Sequence, residues 1–260
     1  MKTVTSISGG KTSAYLAANY PADELVFSLV RSSDTRIMYK DRTLAKKVED
    51  RIKKDFIGTL EDDIIIKTIF DLEQYLGKKI NWVTGLTYDE IINGTSGFLP
   101  SVLRRYCTSK LKIEPIFYWC YNFFNSNPVY MNIGYRATFE KHKTGRHKGK
   151  NKWVDIKWRI PKFPLIEDNI FKDQIENFWE LKPVQFAKRN NCIGCFHRPI
   201  QLLKEISLEY PEKFEWFVNA EKIQKGTWKK NISYENIKKL KQQRKLFDFS
   251  NNCGSGFCGF

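Results

Sequence analysis

The chain predicts an α/β fold, a parallel sheet with flanking helices followed by a helical C-terminal extension. Three observations predict it. A strand-like segment, Thr3-Val4-Thr5-Ser6-Ile7, runs into Ser8-Gly9-Gly10 and then into an Ala- and Leu-rich helical stretch. Residues 25–30 form an apolar run, broken only by Ser28, with β-branched members, as in a strand buried on both faces. Strand-like and helix-like segments then alternate, which implies βαβ units and a covered parallel sheet.

The first helix is expected over 12–19, stopped by Pro21. The second strand empties into Arg31-Ser32-Ser33-Asp34-Thr35, and Leu44, Val48 and Ile52 give 41–56 a helical spacing. Ile64-Ile65-Ile66 reads as a third strand. Residues 94–100 read as a loop, 111–124 as a helix, 129–133 as a strand ending at Gly134, and 141–152 as a basic loop. From about Pro161 the pattern is helical, over 170–179, 183–189, 200–210 and 212–222. A basic helix over 234–246 then leads into a Gly/Cys tail. The expected division is an α/β domain over 1–160 and a helical, cysteine-containing region over 161–260.

Hydrophobic residues make up 42% and aromatics 15%, enough to bury a core and to exclude disorder by composition. The 44 Lys and Arg outweigh 29 Asp and Glu, a net +15 that favours a polyanionic partner through counterion release. The start of the chain lacks the cationic and apolar regions of a signal peptide. No run approaches the ~18–20 apolar residues of a membrane span. The expectation is a cytoplasmic protein without a membrane partner. In that setting the six cysteines are metal ligands, reactive thiols or core rather than disulfides.

Strand, Ser8-Gly9-Gly10-Lys11-Thr12-Ser13, then helix is a phosphate-binding device. The glycines allow a tight turn and close approach of backbone N–H groups to an anion. The helix adds its unpaired N–H groups and positive dipole end. Ser8, Thr12 and Ser13 offer hydroxyls and Lys11 a charge. A Walker A loop would need glycine where Thr5 stands, so the loop is of another kind.

The loop resembles that of the PP-loop family, the N-type ATP pyrophosphatases and sulfonucleotide reductases, written S-G-G-x-[DT]-S. Two further elements resemble the phosphoadenosine phosphosulfate reductase-like branch of that family. One is Arg104-Arg105-Tyr106-Cys107-Thr108-Ser109-Lys110-Leu111-Lys112-Ile113-Glu114-Pro115; the other is Gly134-Tyr135-Arg136 with Glu140 after a strand. The resemblance covers roughly residues 1–200. It implies a Rossmann-like sheet of the adenine nucleotide alpha hydrolase type. It also implies that Arg104, Lys110 and Arg136 join residues 8–13 in binding ATP or a related adenine nucleotide. One departure is plain. The biosynthetic reductases end in Glu-Cys-Gly-Leu, whereas this chain ends Cys253-Gly254-Ser255-Gly256-Phe257-Cys258-Gly259-Phe260.

Cys192-Ile193-Gly194-Cys195 lets two thiolates reach one metal, with glycine relieving the turn. The resemblance makes Cys107 the third ligand, and the tail supplies a fourth, taken as Cys258. Four thiolates suit a 4Fe–4S cluster or a structural zinc, and the resemblance favours the cluster. A redox dithiol or simple packing are the alternatives for the pair. Cys120 sits in an apolar stretch and reads as core. His197 is expected beside the centre rather than in it, and His142 and His147 to be solvated.

By this reading ATP is cleaved between its α- and β-phosphates, with Mg2+ neutralising the pyrophosphate. An acceptor such as tRNA or DNA is adenylated for sulfur transfer or modification. Lys11, Asp34, Arg136 and a mobile Cys253 are the residues expected to act on the reacting groups, Asp34 by orienting the metal or ribose. A sulfur donor protein is an expected partner. Two other readings stay open. One is a sulfonucleotide reductase regenerated by a thioredoxin-like protein. The other is a non-catalytic nucleic-acid-binding factor in which Trp153 and Trp158 stack on bases.

Overall fold

The computed structural model describes residues 1–94, 98–137 and 157–241. Its centre is a five-stranded, all-parallel sheet in the order β3-β2-β1-β4-β5. The strands are β1 (Thr3–Ile7), β2 (Glu24–Ser28), β3 (Ile80–Val83), β4 (Val129–Asn132) and β5 (Arg159–Lys162). Helix α1 (Lys11–Asn19) follows β1. Helices α2 (Arg42–Ile52) and α3 (Ile64–Leu76) separate β2 from β3, and α4 (Tyr88–Asn93) follows β3. The single turn α5 (Tyr106–Thr108) and a π-helical turn, Ser109–Ile113, lead into α6 (Glu114–Phe123).

Alternation along the strands sends side chains to two faces. Ile7, Leu25 and Phe27 join Leu16, Val48, Ile65, Ile69 and Trp179 on one face. Val4, Val26, Val129 and Met131 meet Ile116, Phe117 and Trp158 on the other. Both faces are covered, as a parallel sheet requires.

The remaining helices are α7 (Pro164–Glu167), α8 (Lys172–Glu180), α9 (Ile200–Glu209), α10 (Pro211–Gln224) and α11 (Tyr234–Lys239). Helix α8 packs on α1, where Phe178 meets Tyr15 edge-on at 5.0 Å and the Trp179 indole donates to the Lys11 carbonyl at 3.0 Å. Helices α9 to α11 enclose a third core in which Phe214, Phe217, Trp228 and Tyr234 pack with Leu60, Tyr88 and Leu111.

Several expectations need correction. Residues 64–66 are not a strand but the first turn of α3. The Asp62 carboxylate accepts the Ile64 N–H at 3.1 Å, and Ile65, Ile69 and Leu72 continue one buried helical stripe. The third strand is Ile80–Val83. Strand β5 stands where the helical region was expected to begin, at about Pro161; at the sheet edge the missing Pro161 N–H removes no needed ladder bond. It carries the sheet two residues past the expected boundary at 160. Residues 183–189 form no helix. Trp158 is 3% exposed and packs against Phe117 at 5.5 Å, so it offers no face to a base. The 141–152 loop, Glu140, His142, His147, Trp153, Cys253 and Cys258 lie outside the described residues.

Candidate functional site

The 8–13 loop stands at the carboxyl end of β1, where open parallel sheets present ligand-binding crevices. Gly9 has φ +75°, a left-handed backbone that favours glycine, and an added Cβ would lie 2.6 Å from Cγ2 of Ile65. The serines brace the turn from within. The Ser8 N–H donates to Ser13 Oγ at 3.1 Å, the two hydroxyls are 3.1 Å apart, and Ser13 Oγ donates to the Gly10 carbonyl at 3.0 Å. Gly10 caps α1 without any side-chain acceptor, so the first-turn N–H groups keep their capacity for an anion.

The exit of β4 abuts this loop, since a Cβ on Gly134 would be 3.4 Å from Cγ2 of Thr12. That places the Gly134-Tyr135-Arg136 element beside the loop. Tyr135 is anchored by stacking on Phe163, with ring centres 5.8 Å apart. Lys11 is not free to serve an anion alone, because its ammonium pairs with Glu176 on α8. Asp34 lies beyond β2 in a turn where its carboxylate accepts from the Arg36 backbone and guanidinium, at 2.9 Å and 2.5 Å. This pairing holds its carboxyl below the usual range. Arg104 lies over the Phe98 ring at 4.5 Å, and Lys110 pairs with Glu114 at 2.7 Å.

A second feature is a cleft lined by Cys107, Cys192 and Cys195. The three sequence-predicted thiols are therefore brought together, although Cys107 and Cys192 lie 85 positions apart in the sequence. The C-x-x-C turn is tight: the Cys195 N–H donates to the Cys192 carbonyl at 3.2 Å, and the Arg198 N–H to the Cys195 carbonyl at 2.9 Å. The Ile193 N–H fixes it to the Leu60 carbonyl at 2.7 Å. Burial pushes the Cys192 thiol well up, Glu61 adds to this, and Lys112 opposes it. Burial also raises Cys107, opposed by a Tyr88 hydrogen bond and by Arg105. Cys120 is buried elsewhere, against the sheet, as expected. Among the described residues no three His, Cys, Asp or Glu side chains converge closely enough to hold a single metal ion.

The same cleft holds His197, expected beside the cysteines, and gathers three residues that sequence reasoning did not assign to it: Tyr88, Arg105 and Lys112. Lys112 pairs at 2.8 Å with Glu61, whose side chain is 2% exposed. Burial, with Arg105 and Lys229 nearby, pushes His197 down to about 4, so its ring is neutral at neutral pH. Arg105 and Lys112 flank Cys107 in the motif quoted above, which was the available signal. Nothing local marked Glu61. Residues 190–198 connect the two features, running from Gly10, where the Asn190 amide packs, to the thiol cleft.

No family model matches the chain, and no similar curated protein or solved structure was found for it. Among the described residues no helix is long and apolar enough to cross a membrane.

Proposed function

We propose that this chain is a PP-loop enzyme of the phosphoadenosine phosphosulfate reductase-like branch. It binds ATP or a related adenine nucleotide and cleaves it at the α-phosphate to activate an acceptor for sulfur transfer or modification. The observation that carries this is the 8–13 loop: a glycine-pinched turn at the carboxyl end of the central strand, with the open N-terminus of α1 behind it. Backbone N–H groups of that turn would hold the phosphates, with the Ser13 hydroxyl bracing the turn from within. Lys11 would contribute by exchanging Glu176 for phosphate. Arg136, two residues beyond Gly134, which abuts Thr12, would meet the same anion. Magnesium enters with ATP, charge-balancing the pyrophosphate.

The cleft supports a thiolate centre. Cys107, Cys192 and Cys195 line it with the cations Arg105 and Lys112, which suits an anionic cluster. Four thiolates suit a 4Fe–4S cluster or a structural zinc, and the resemblance to the reductase-like branch favours the cluster. Cys258 would be the fourth ligand and Cys253 the reactive tail thiol. When bound, such a cluster supplies electrons or a labile sulfur. Its proximity to the loop through residues 190–198 is what joins ATP cleavage to sulfur chemistry. The net +15 suits tRNA or DNA as acceptor.

The test is the product of ATP cleavage. Incubated anaerobically with ATP, magnesium, a sulfide source and total tRNA or DNA, the protein should release AMP and pyrophosphate. ADP and phosphate would contradict the assignment. Thioredoxin-dependent sulfite release from a sulfonucleotide would replace it with the reductase reading.

A further inference from the structure

We propose that Asn190 is a phosphate-contacting residue of the nucleotide site, delivered to the 8–13 loop by the segment that carries the C-x-x-C pair. The inference rests on the reading of that loop as a nucleotide site and names a residue that the loop motif does not contain.

The amide of Asn190 lies directly against Gly10. A Cβ built on Gly10 would stand 3.1 Å from Nδ2, 3.4 Å from Cγ and 3.6 Å from Oδ1 of Asn190. Gly10 is the cap of α1, so the amide sits at the helix end whose N–H groups face an anion. A side chain at position 10 would fill the gap between loop and amide. Absence of a side chain there leaves backbone and amide as one polar surface.

Oδ1 of Asn190 is buried and has no hydrogen-bond partner. Orphaned buried acceptors are rare and call for an explanation. A magnesium nucleotide supplies one, since a magnesium-bound water donates to such an oxygen, and the amide NH2 donates to phosphate oxygens. An amide can do both without adding charge.

The backbone around Asn190 is held by a buried guanidinium. Arg198, 4% exposed, donates Nη2 to the Asn190 carbonyl at 2.5 Å and to the Cys192 carbonyl at 3.2 Å, with Nε reaching the latter at 3.3 Å. Asn191 turns the chain with φ +65°. One guanidinium thus fixes both the residue at the loop and the first cysteine of the pair. Arg198 is a positioning residue, and Asn190 the group that touches the ligand.

The experiment measures ATP and adenosine binding by calorimetry on the full chain, for wild type, Asn190→Asp and Asn190→Ala. Aspartate keeps the shape of asparagine but replaces the donor by a negative oxygen facing the phosphates. ATP affinity should fall about tenfold or more in both variants, while adenosine affinity stays at the wild-type value. ATP affinity unchanged in Asn190→Asp would overturn the assignment. A parallel fall for ATP and adenosine would also overturn it, since that marks a packing role. If Asn190→Asp does not fold, Asn190→Ser is read by the same ATP-to-adenosine ratio. A wild-type protein that binds no ATP would remove the loop reading itself and this assignment with it, an outcome distinct from a silent variant.

Discussion

The ammonium of Lys112 lies 2.8 Å from Oε1 of Glu61, inside the cleft that holds Cys107, Cys192 and Cys195. Breaking a buried pair from one side leaves an uncompensated charge and costs more than removing both partners. Glu61→Gln should therefore lower unfolding stability by about 3 kcal/mol. Glu61→Gln with Lys112→Met should recover most of that loss. Denaturant titration checks both. A Glu61→Gln protein as stable as wild type would mean that the pair does not hold the cleft.

His197 gives the site an acid limit. Its pKa in the fold is pushed down to about 4 by burial and by Arg105 and Lys229, below the ordinary 6.5. The unfolded chain then binds the proton first. The contribution of His197 to stability is complete above pH 6.5 and is lost as pH falls towards 4. His197→Gln should flatten the stability profile across that window. The ring is only half-buried, so solvent screening reduces the size of the effect. Identical profiles for the two proteins would remove His197 as the source.

The first two strands were legible because β-branched and apolar residues gather in 3–7, ahead of the Ser-Gly-Gly turn, and in 25–30, after Pro21. Thr3–Ile7 appears with the expected ends. Ile64-Ile65-Ile66 misled because three β-branched residues in a row look like a buried strand, whereas the stripe that decides the matter continues at Ile69 and Leu72. At the site, the loop and the three cysteines were legible from local pattern and family resemblance. Glu61, Asn190 and Arg198 were not. Their roles exist only through contacts with residues distant in sequence, Lys112, Gly10 and the C-x-x-C carbonyls.

The thiol cleft predicts a metal signature. Anaerobically purified protein should carry iron and sulfide at about four each per chain, with broad absorption at about 400 nm. Cys192→Ala should lose the colour and much of the stability, since metal binding and folding are coupled. Stoichiometric zinc without iron would replace the cluster by a structural site, and the absence of both would defeat the centre.

The claim that the 8–13 loop holds the phosphates is tested most directly by calorimetric titration of ATP into wild type and Gly10→Val. Gly10 has neighbours on its open side, with Asn190 Nδ2 at 3.1 Å from the Cβ position, so a branched side chain must occupy space that phosphate and amide share. Wild type should bind ATP and Gly10→Val should show no measurable binding. Equal affinity in the two proteins would contradict the account.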